Sequence, residues 1–344
     1  MTRVLVTAHD PGGANALVDV VSLAMQEGAE LLIVLAGPAR EVFKTAGIAH
    51  LDAEQEKEDE LLTRIDAFAP ELFLAGTNMM AGIERRLFTH VRARAKTLYV
   101  LDFWSNYTRR FSKNDNDLQY LPDRICVPDT LAVEEMLEEG FPKERIVATG
   151  NPYFEHFTDG VTTNNEEAGC ILFISQPVSE TKDSTLGFDE HKTLREVIEA
   201  VKGMPENYRL VIRLHPREDA RKYDAMIGER VSLSSGFTVE EDLSRAGLVI
   251  GMFSPVLMQA AWAGKSVFSF EPGLTGKDPF PLNRAHEMPH AYDTEGLRRF
   301  LLEYQHGTHP MPPKGARQQA PLGAAKRIWE EMRRLVEGGV YYRL

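Results

Sequence analysis

"LVTAHDPGGANAL", residues 5–17, joins an apolar run to a helix through an imidazole, an acid, a proline and two glycines. An apolar run closed by such punctuation reads as a buried strand feeding a helix. Asp10 suits the N-cap and Pro11 the first helical position. Gly12 and Gly13 do not suit a first turn, where each costs about 1 kcal/mol relative to Ala. Their compensation would be close approach of a ligand to bare N–H groups at the positive end of a helix. Asp10 therefore has two readings. It is a cap, or it is a carboxylate at a strand's carboxyl end, able to take a proton from a hydroxyl. His9 could share the second role, although strand alternation would turn it the other way. The stretch is not the GxGxxG dinucleotide fingerprint.

Working outward, the same unit repeats. Residues 31–35, 72–75, 97–101, 124–127 and 146–150 read as further buried strands, with amphipathic stretches such as 12–27 and 81–94 between them. The acidic stretch 54–62 reads as a solvated helix face. After Asn151-Pro152 comes a polar, turn-rich segment, 154–169, and then new strands at 170–175, 208–214, 248–250 and 266–270. Alternation of this kind predicts α/β architecture with parallel strands and helices on both faces. A boundary near residue 155 gives two doubly wound domains, 1–155 and 156–321, facing a central cleft. Ligands in such sheets bind outside the carboxyl ends of the strands. Segment 322–344 is expected to pack back on the domains as a basic amphipathic helix, with attachment to a membrane surface as the lesser alternative.

Composition narrows the function. Of 344 residues, 43% are hydrophobic and 26% charged, as in ordinary soluble proteins. A net charge of −12 argues against nucleic-acid binding but allows a local basic pocket for a phosphorylated small molecule. No signal peptide or bilayer-spanning run is expected, which points to the cytoplasm, with an acceptor assembled at the inner face of a membrane as one setting. Cys126 and Cys170 read as buried thiols. No CxxC, HExxH or carboxylate cluster with metal spacing is present, and no GxSxG elbow.

Three further stretches could carry chemistry. In "VIRLHPRE" (211–218), Arg213 and His215 are two apart and are expected on one strand face, where a guanidinium and an imidazole suit a phosphate. In "AGLVIGMFSPVLMQAAWAGKSVFSFEPG" (246–273), Ser254 sits at an N-cap with Pro255 at N1, before a short helix over 256–263. Ser254 with the free N–H groups behind it would make an anion site, or would simply cap the helix. Glu271 follows the next strand. In "LDFWSNYTRRF" (101–111), Asp102, Trp104, Tyr107, Arg109 and Arg110 suit a sugar or an anionic acceptor, or ordinary packing. Asn15 joins His9, Asp102, Trp104, Tyr107 and Arg110 as an acceptor-side candidate. Gln176, closing "LFISQP", is placed to bond a base or phosphate.

Taken together, "AHDPGGAN", "IVATGNP", "VIRLHPRE" and "DLSRAGLVIGMFSPVLMQAAWAGKSVFSF" resemble GT-B glycosyltransferases over about residues 1–305. The "ATGNP" element resembles the hinge of hydrolysing UDP-N-acetylglucosamine 2-epimerases and of CDP-glycerol glycerophosphotransferases. Arg-x-His-Pro followed by a serine turn resembles bacterial sialyl-, polysialyl- and Kdo-type transferases. The resemblance implies two Rossmann-like domains. It also implies a donor held mainly by the second, with His215 and Ser254 on the donor phosphate, and a base from the first, Asp10 or Asp102. Many UDP-sugar relatives carry a ribose-clamping glutamate in the helix after the serine turn. Here the nearest residue is Gln259, which points toward a CMP- or CDP-activated donor, unless Glu271 replaces the clamp. The expectation is an inverting, metal-independent glycosyltransferase. Its co-substrate is a nucleotide-activated sugar such as a CMP-linked nonulosonate or Kdo-type acid, its acceptor a hydroxyl of a glycan or glycolipid, and it has no further cofactor. The alternatives are a sugar-nucleotide 2-epimerase or hydrolase of the same fold, and a non-catalytic sugar-nucleotide-binding protein.

Overall fold

A computed structural model describes residues 1–79, 82–114, 116–180, 185–311 and 322–338. The chain divides into two compact units, Met1–His156 with Gln319–Leu344, and Phe157–Gln318.

The first unit is built on seven strands: β1 (Arg3–Ala8), β2 (Glu30–Leu35), β3 (Leu51–Asp52), β4 (Leu72–Gly76), β5 (Lys96–Val100), β6 (Arg124–Val127) and β7 (Ile146–Ala148). They pair in the order β3-β2-β1-β4-β5-β6-β7, all parallel. The connecting helices are α1 (Pro11–Gln26), α2 (Ala39–Thr45), α3 (Glu58–Phe68), α4 (Ile83–Val91), α5 (Tyr107–Phe111), α6 (Thr130–Glu138) and α7 (Pro152–Glu155). Val4, Leu5, Val6 and Ala8 are all buried, so β1 is covered on both faces. That is why it reads as an unbroken apolar run rather than an alternation. Strand order reverses between β1 and β4, which places the ends of these two strands at a topological switch point.

The second unit repeats the plan with β8 (Cys170–Ile174), β9 (Arg209–Arg213), β10 (Val231–Leu233), β11 (Leu248–Gly251), β12 (Ser266–Phe270) and β13 (His290–Ala291), in the order β10-β9-β8-β11-β12-β13, again all parallel. Its helices are α8 (Glu190–Lys202), α9 (Val239–Arg245), α10 (Pro255–Trp262), α11 (Pro281–Arg284) and α12 (Thr294–Gln305). The reversal here falls between β8 and β11. Three strands not expected from the sequence, β3, β10 and β13, all lie at sheet edges and have two or three residues each.

The last helix, α13 (Ala324–Glu337), returns to the first unit. Ile328, Trp329 and Met332 enter the same apolar cluster as Leu17, Val20 and Val21 of α1. Glu331 meets Arg124 at 3.3 Å with both side chains 6% exposed. Arg327 Nε donates to the Thr149 carbonyl at 2.7 Å. Protein, not a membrane, therefore covers the apolar face of this helix, which removes it as a membrane-lying segment. Residues 339–344 of the expected segment lie outside the described residues. Among the described residues no helix is long and apolar enough to cross a membrane. Cys126 and Cys170 are buried free thiols, and burial pushes Cys126 up to about 12.

Candidate functional site

In the first unit the switch point gathers the ends of β1, β4 and β5. Asp10 occupies the N-cap of α1 in extended conformation, yet its side chain makes no capping bond. It turns instead to His9, whose Nδ1 lies 2.7 Å from Asp10 Oδ1, and the two side chains are 38% and 39% exposed. Of the two readings of Asp10, the cap fails. His9, expected to face away, is the partner of the acid.

The two glycines have a packing cause that the sequence did not reveal. A Cβ on Gly12 would overlap the Asp102 carboxylate, and one on Gly13 would lie 2.8 Å from the Thr77 carbonyl oxygen. Protein groups just past β4 and β5 fill the space on the Cβ side of these glycines. Asp102 Oδ1 accepts from the Thr77 hydroxyl and from Arg110 Nη1, each at 2.6 Å.

Several acceptor-side candidates are corrected by their surroundings. Arg110 is buried, and its guanidinium is committed to Asp102, to Thr77 and, through Nε at 2.9 Å, to the Ser105 carbonyl. Trp104 is buried, stacks on Phe154 at 5.2 Å, and donates Nε1–H to Asp129 at 2.8 Å. Tyr107 is buried and donates to Glu135 at 2.6 Å. These three belong to the core because each polar tip is taken by an acid of the same unit, Asp102, Asp129 or Glu135. The exposed cation of this stretch is Arg109, which lines an open cavity of about 620 Å³ with Asn106, Thr108, Asn116 and Glu139. Asn15 lines a separate cavity of about 220 Å³ with Asp19, Tyr153 and His156.

In the second unit the strand ends supply a different set. Gln176, two residues past β8, accepts the Phe253 N–H at 3.0 Å and so ties the exits of β8 and β11. Ser254 is buried, and its Oγ caps α10 by accepting the Val256 N–H at 3.2 Å. Leu257 N–H bonds back to the Ser254 carbonyl at 3.0 Å. The expected run of free N–H groups is therefore taken up by the helix's own first turn, and the Ser254 O–H is what remains to donate. Gln259 lies half-buried farther along α10.

His215 stands two residues past β9. The Arg217 N–H donates to its Nδ1 at 3.2 Å, which assigns the ring proton to Nε2. Burial, with the Arg217 charge behind it, lowers the imidazole's pKa and favours this neutral donor form. Glu218 fixes the turn: it accepts the His215 N–H at 2.7 Å, the Ser175 hydroxyl at 2.9 Å and Lys222 Nζ at 2.7 Å. Lys222 is itself held by Glu190 at 2.5 Å.

Arg213 does not join His215. The strand ends at Arg213, so alternation no longer relates the two side chains, and Arg213 Nη1 goes to Asp242 Oδ2 at 2.5 Å and to the carbonyls of Phe237 and Thr238. The exposed guanidinium near His215 is Arg217. Sequence reasoning passed over it, although "HPRE" carries it in plain view.

Glu271 is fully buried, and among the described residues no donor reaches either carboxyl oxygen. Burial and the neighbouring Asp278 charge push it up to about 9, so at neutral pH it is a protonated acid.

No protein-family model matches the chain, and no curated protein matches it. Solved structures do resemble it. A putative UDP-N-acetylglucosamine 2-epimerase from Listeria monocytogenes is 18% identical with a TM-score of 0.64, covering 98% of this chain and 97% of that one. A glycosyltransferase from Rickettsia africae is 11% identical with a TM-score of 0.69, covering 98% and 99%. A UDP-GlcNAc 2-epimerase from Neisseria meningitidis, solved with UDP-GlcNAc bound, is 14% identical with a TM-score of 0.65, covering 97% and 100%. At these identities the likeness is one of fold: two parallel-sheet α/β domains of the GT-B type.

Proposed function

We propose that the protein is an inverting, metal-independent glycosyltransferase that uses a nucleotide-activated sugar. The single observation that carries the reading is the His9–Asp10 pair, released from capping and half-exposed at a strand-order reversal. A carboxylate or carboxylate-backed imidazole there suits removal of a proton from an acceptor hydroxyl as it attacks the anomeric carbon. In this reading the anomeric carbon–oxygen bond to the donor phosphate breaks as the new bond forms, and the departing nucleotide carries the negative charge. His215 Nε2–H, the Ser254 O–H and Arg217 are the second unit's donors for that charge. Such preorganised donors are normally the largest contribution in a site of this kind. With Glu271 fully buried, Gln259 is the better candidate for the ribose, which favours a CMP- or CDP-linked donor. A nonulosonate or Kdo-type acid would be the sugar and a glycan or glycolipid hydroxyl the acceptor.

A second reading, a sugar-nucleotide 2-epimerase or hydrolase, draws support from the acids that converge on the first unit's switch point: Asp10, Asp102 and the buried Glu84. Proton movement on a sugar ring needs acids of this kind. Incubation with CMP-, CDP- and UDP-sugars, each with and without a hydroxyl acceptor, separates the readings. Nucleotide release only with acceptor supports transfer. Release or epimer formation without acceptor supports the second reading and overturns the first.

A further inference from the structure

We propose that Glu84 is a positioning residue for the His9–Asp10 pair, holding the peptide that carries the pair and coupling its own charge to theirs. The inference rests on reading that pair as the transferase base. Glu84 lies in the first turn of α4 and is 2% exposed. Its Oε1 accepts the His9 backbone N–H at 2.8 Å, and its Oε2 accepts from Asn78 Nδ2, just past β4. A Cβ on Gly82 would lie 2.7 Å from Glu84 Oε2 and 2.5 Å from Asn78 Nδ2, so the chain is locally bare where this carboxyl is seated. Glu84 thus bridges both strand ends at the switch point and stands directly behind the pair.

The titratable groups that face it are His9 and Asp10 on the β1–α1 turn and the Tyr99 phenol on β5, which donates to the Glu84 carbonyl at 3.3 Å. Among the described residues no Lys or Arg forms an ion pair with it. Two N–H donors alone would be served by a neutral amide. A buried acid here adds a charge that can appear or vanish. Burial pushes Glu84 up to about 7; its own backbone N–H, the His9 N–H and the His9 charge oppose this, and the Asp10 charge adds to it. Near neutrality, then, ionisation of Glu84 and negative charge on Asp10 oppose one another.

The test follows the carboxyl carbons of the full-length protein by 13C NMR across pH, with Glu84→Gln to assign the signal. Glu84 is expected to titrate near 7, and Asp10→Asn to lower that midpoint by roughly half a unit to one unit, the scale of a nearby charge. Glu84→Gln keeps an oxygen for the His9 N–H but carries no charge. It is expected to fold and to lose the near-neutral inflection of the kcat/KM profile. A Glu84 midpoint in the ordinary carboxylate range, or one indifferent to Asp10→Asn, overturns the proposal. If Glu84→Gln does not fold, the exposed Asp10→Asn variant still decides it, with Asn78→Ala supplying the assignment by displacing the Glu84 signal. The titration needs no donor or acceptor. Absence of transfer alongside an intact coupling would sink the transferase reading alone, and transfer without coupling would sink this inference alone.

Discussion

Gln176 Oε1 receives the backbone N–H of Phe253 at 3.0 Å, which joins the segments leaving β8 and β11 where the sheet order reverses. One side is thereby fixed next to Ser254, and β9 delivers His215 on the other side of β8. In the first unit the corresponding bridge is Glu84, spanning the ends of β1 and β4. Each sheet thus presents its chemistry-bearing side chains at the place where neighbouring crossovers run in opposite directions.

Because Asp10 does not cap α1, Asp10→Asn is expected to leave thermal stability and nucleotide affinity unchanged while abolishing transfer. Asp293, by contrast, does cap its helix, accepting the Gly296 N–H at 2.7 Å. Asp293→Ala should cost about 1 kcal/mol, the usual value for a lost cap. Paired thermal melts and nucleotide titrations check both. A comparable fall in melting temperature for Asp10→Asn would return that residue to a structural role.

His215→Ala should reduce kcat by about two orders of magnitude, the scale for loss of one preorganised donor. Single-turnover measurements at saturating donor provide the check. Glu218→Gln tests how the ring is held: the amide oxygen can still accept the His215 N–H, but the charge facing Lys222 is gone. A smaller loss than that of His215→Ala is expected.

The two arginines of "RLHPRE" should separate cleanly. Arg213→Ala removes the nearer of the two cations at Asp242, 2% exposed, leaving Arg245 at 4.0 Å, and should destabilise the second unit by about 2 kcal/mol, the scale of a lost charge-assisted hydrogen bond. Arg217→Ala should leave stability unchanged and weaken CMP or CDP binding roughly tenfold, the equivalent of one charge-assisted hydrogen bond. Thermal shift with CMP, CDP, UDP and GDP reads both effects, since a ligand bound to the folded form alone raises its melting temperature.

Glu271 makes a prediction about pH. Its folded value, about 9, lies above that of an unfolded carboxyl. The folded state therefore holds the proton more tightly, and the contribution to stability is complete below about pH 4 and lost as pH climbs toward 9. Glu271→Gln, neutral throughout, should be more stable than the wild type at pH 8, by roughly 5 kcal/mol, and should lose that advantage at pH 4. Urea unfolding at the two pH values measures the difference.

Much of this architecture was legible in the residues themselves. Central strands such as β1, β4 and β8 are covered on both faces, and that burial demands the apolar runs by which they are recognised. The short edge strands β3, β10 and β13 are paired on one side and partly exposed, so nothing in their composition marks them. In the candidate site the same divide appears. That His9, Asp10, Gln176, His215 and Ser254 follow strands was readable. Which acid would claim Arg213, Trp104 or Tyr107 was not, because the partners stand 29, 25 and 28 residues away, and only folding brings them into reach.

The return of α13 to the first unit has a consequence for biosynthesis. Ile328, Trp329 and Met332 complete an apolar cluster begun at Val4, with the whole second unit translated in between. On the ribosome the sheet of the first unit must wait, with one flank uncovered, until the second unit and α13 have emerged. The carboxyl-terminal lobe, contiguous in the chain, can mature first.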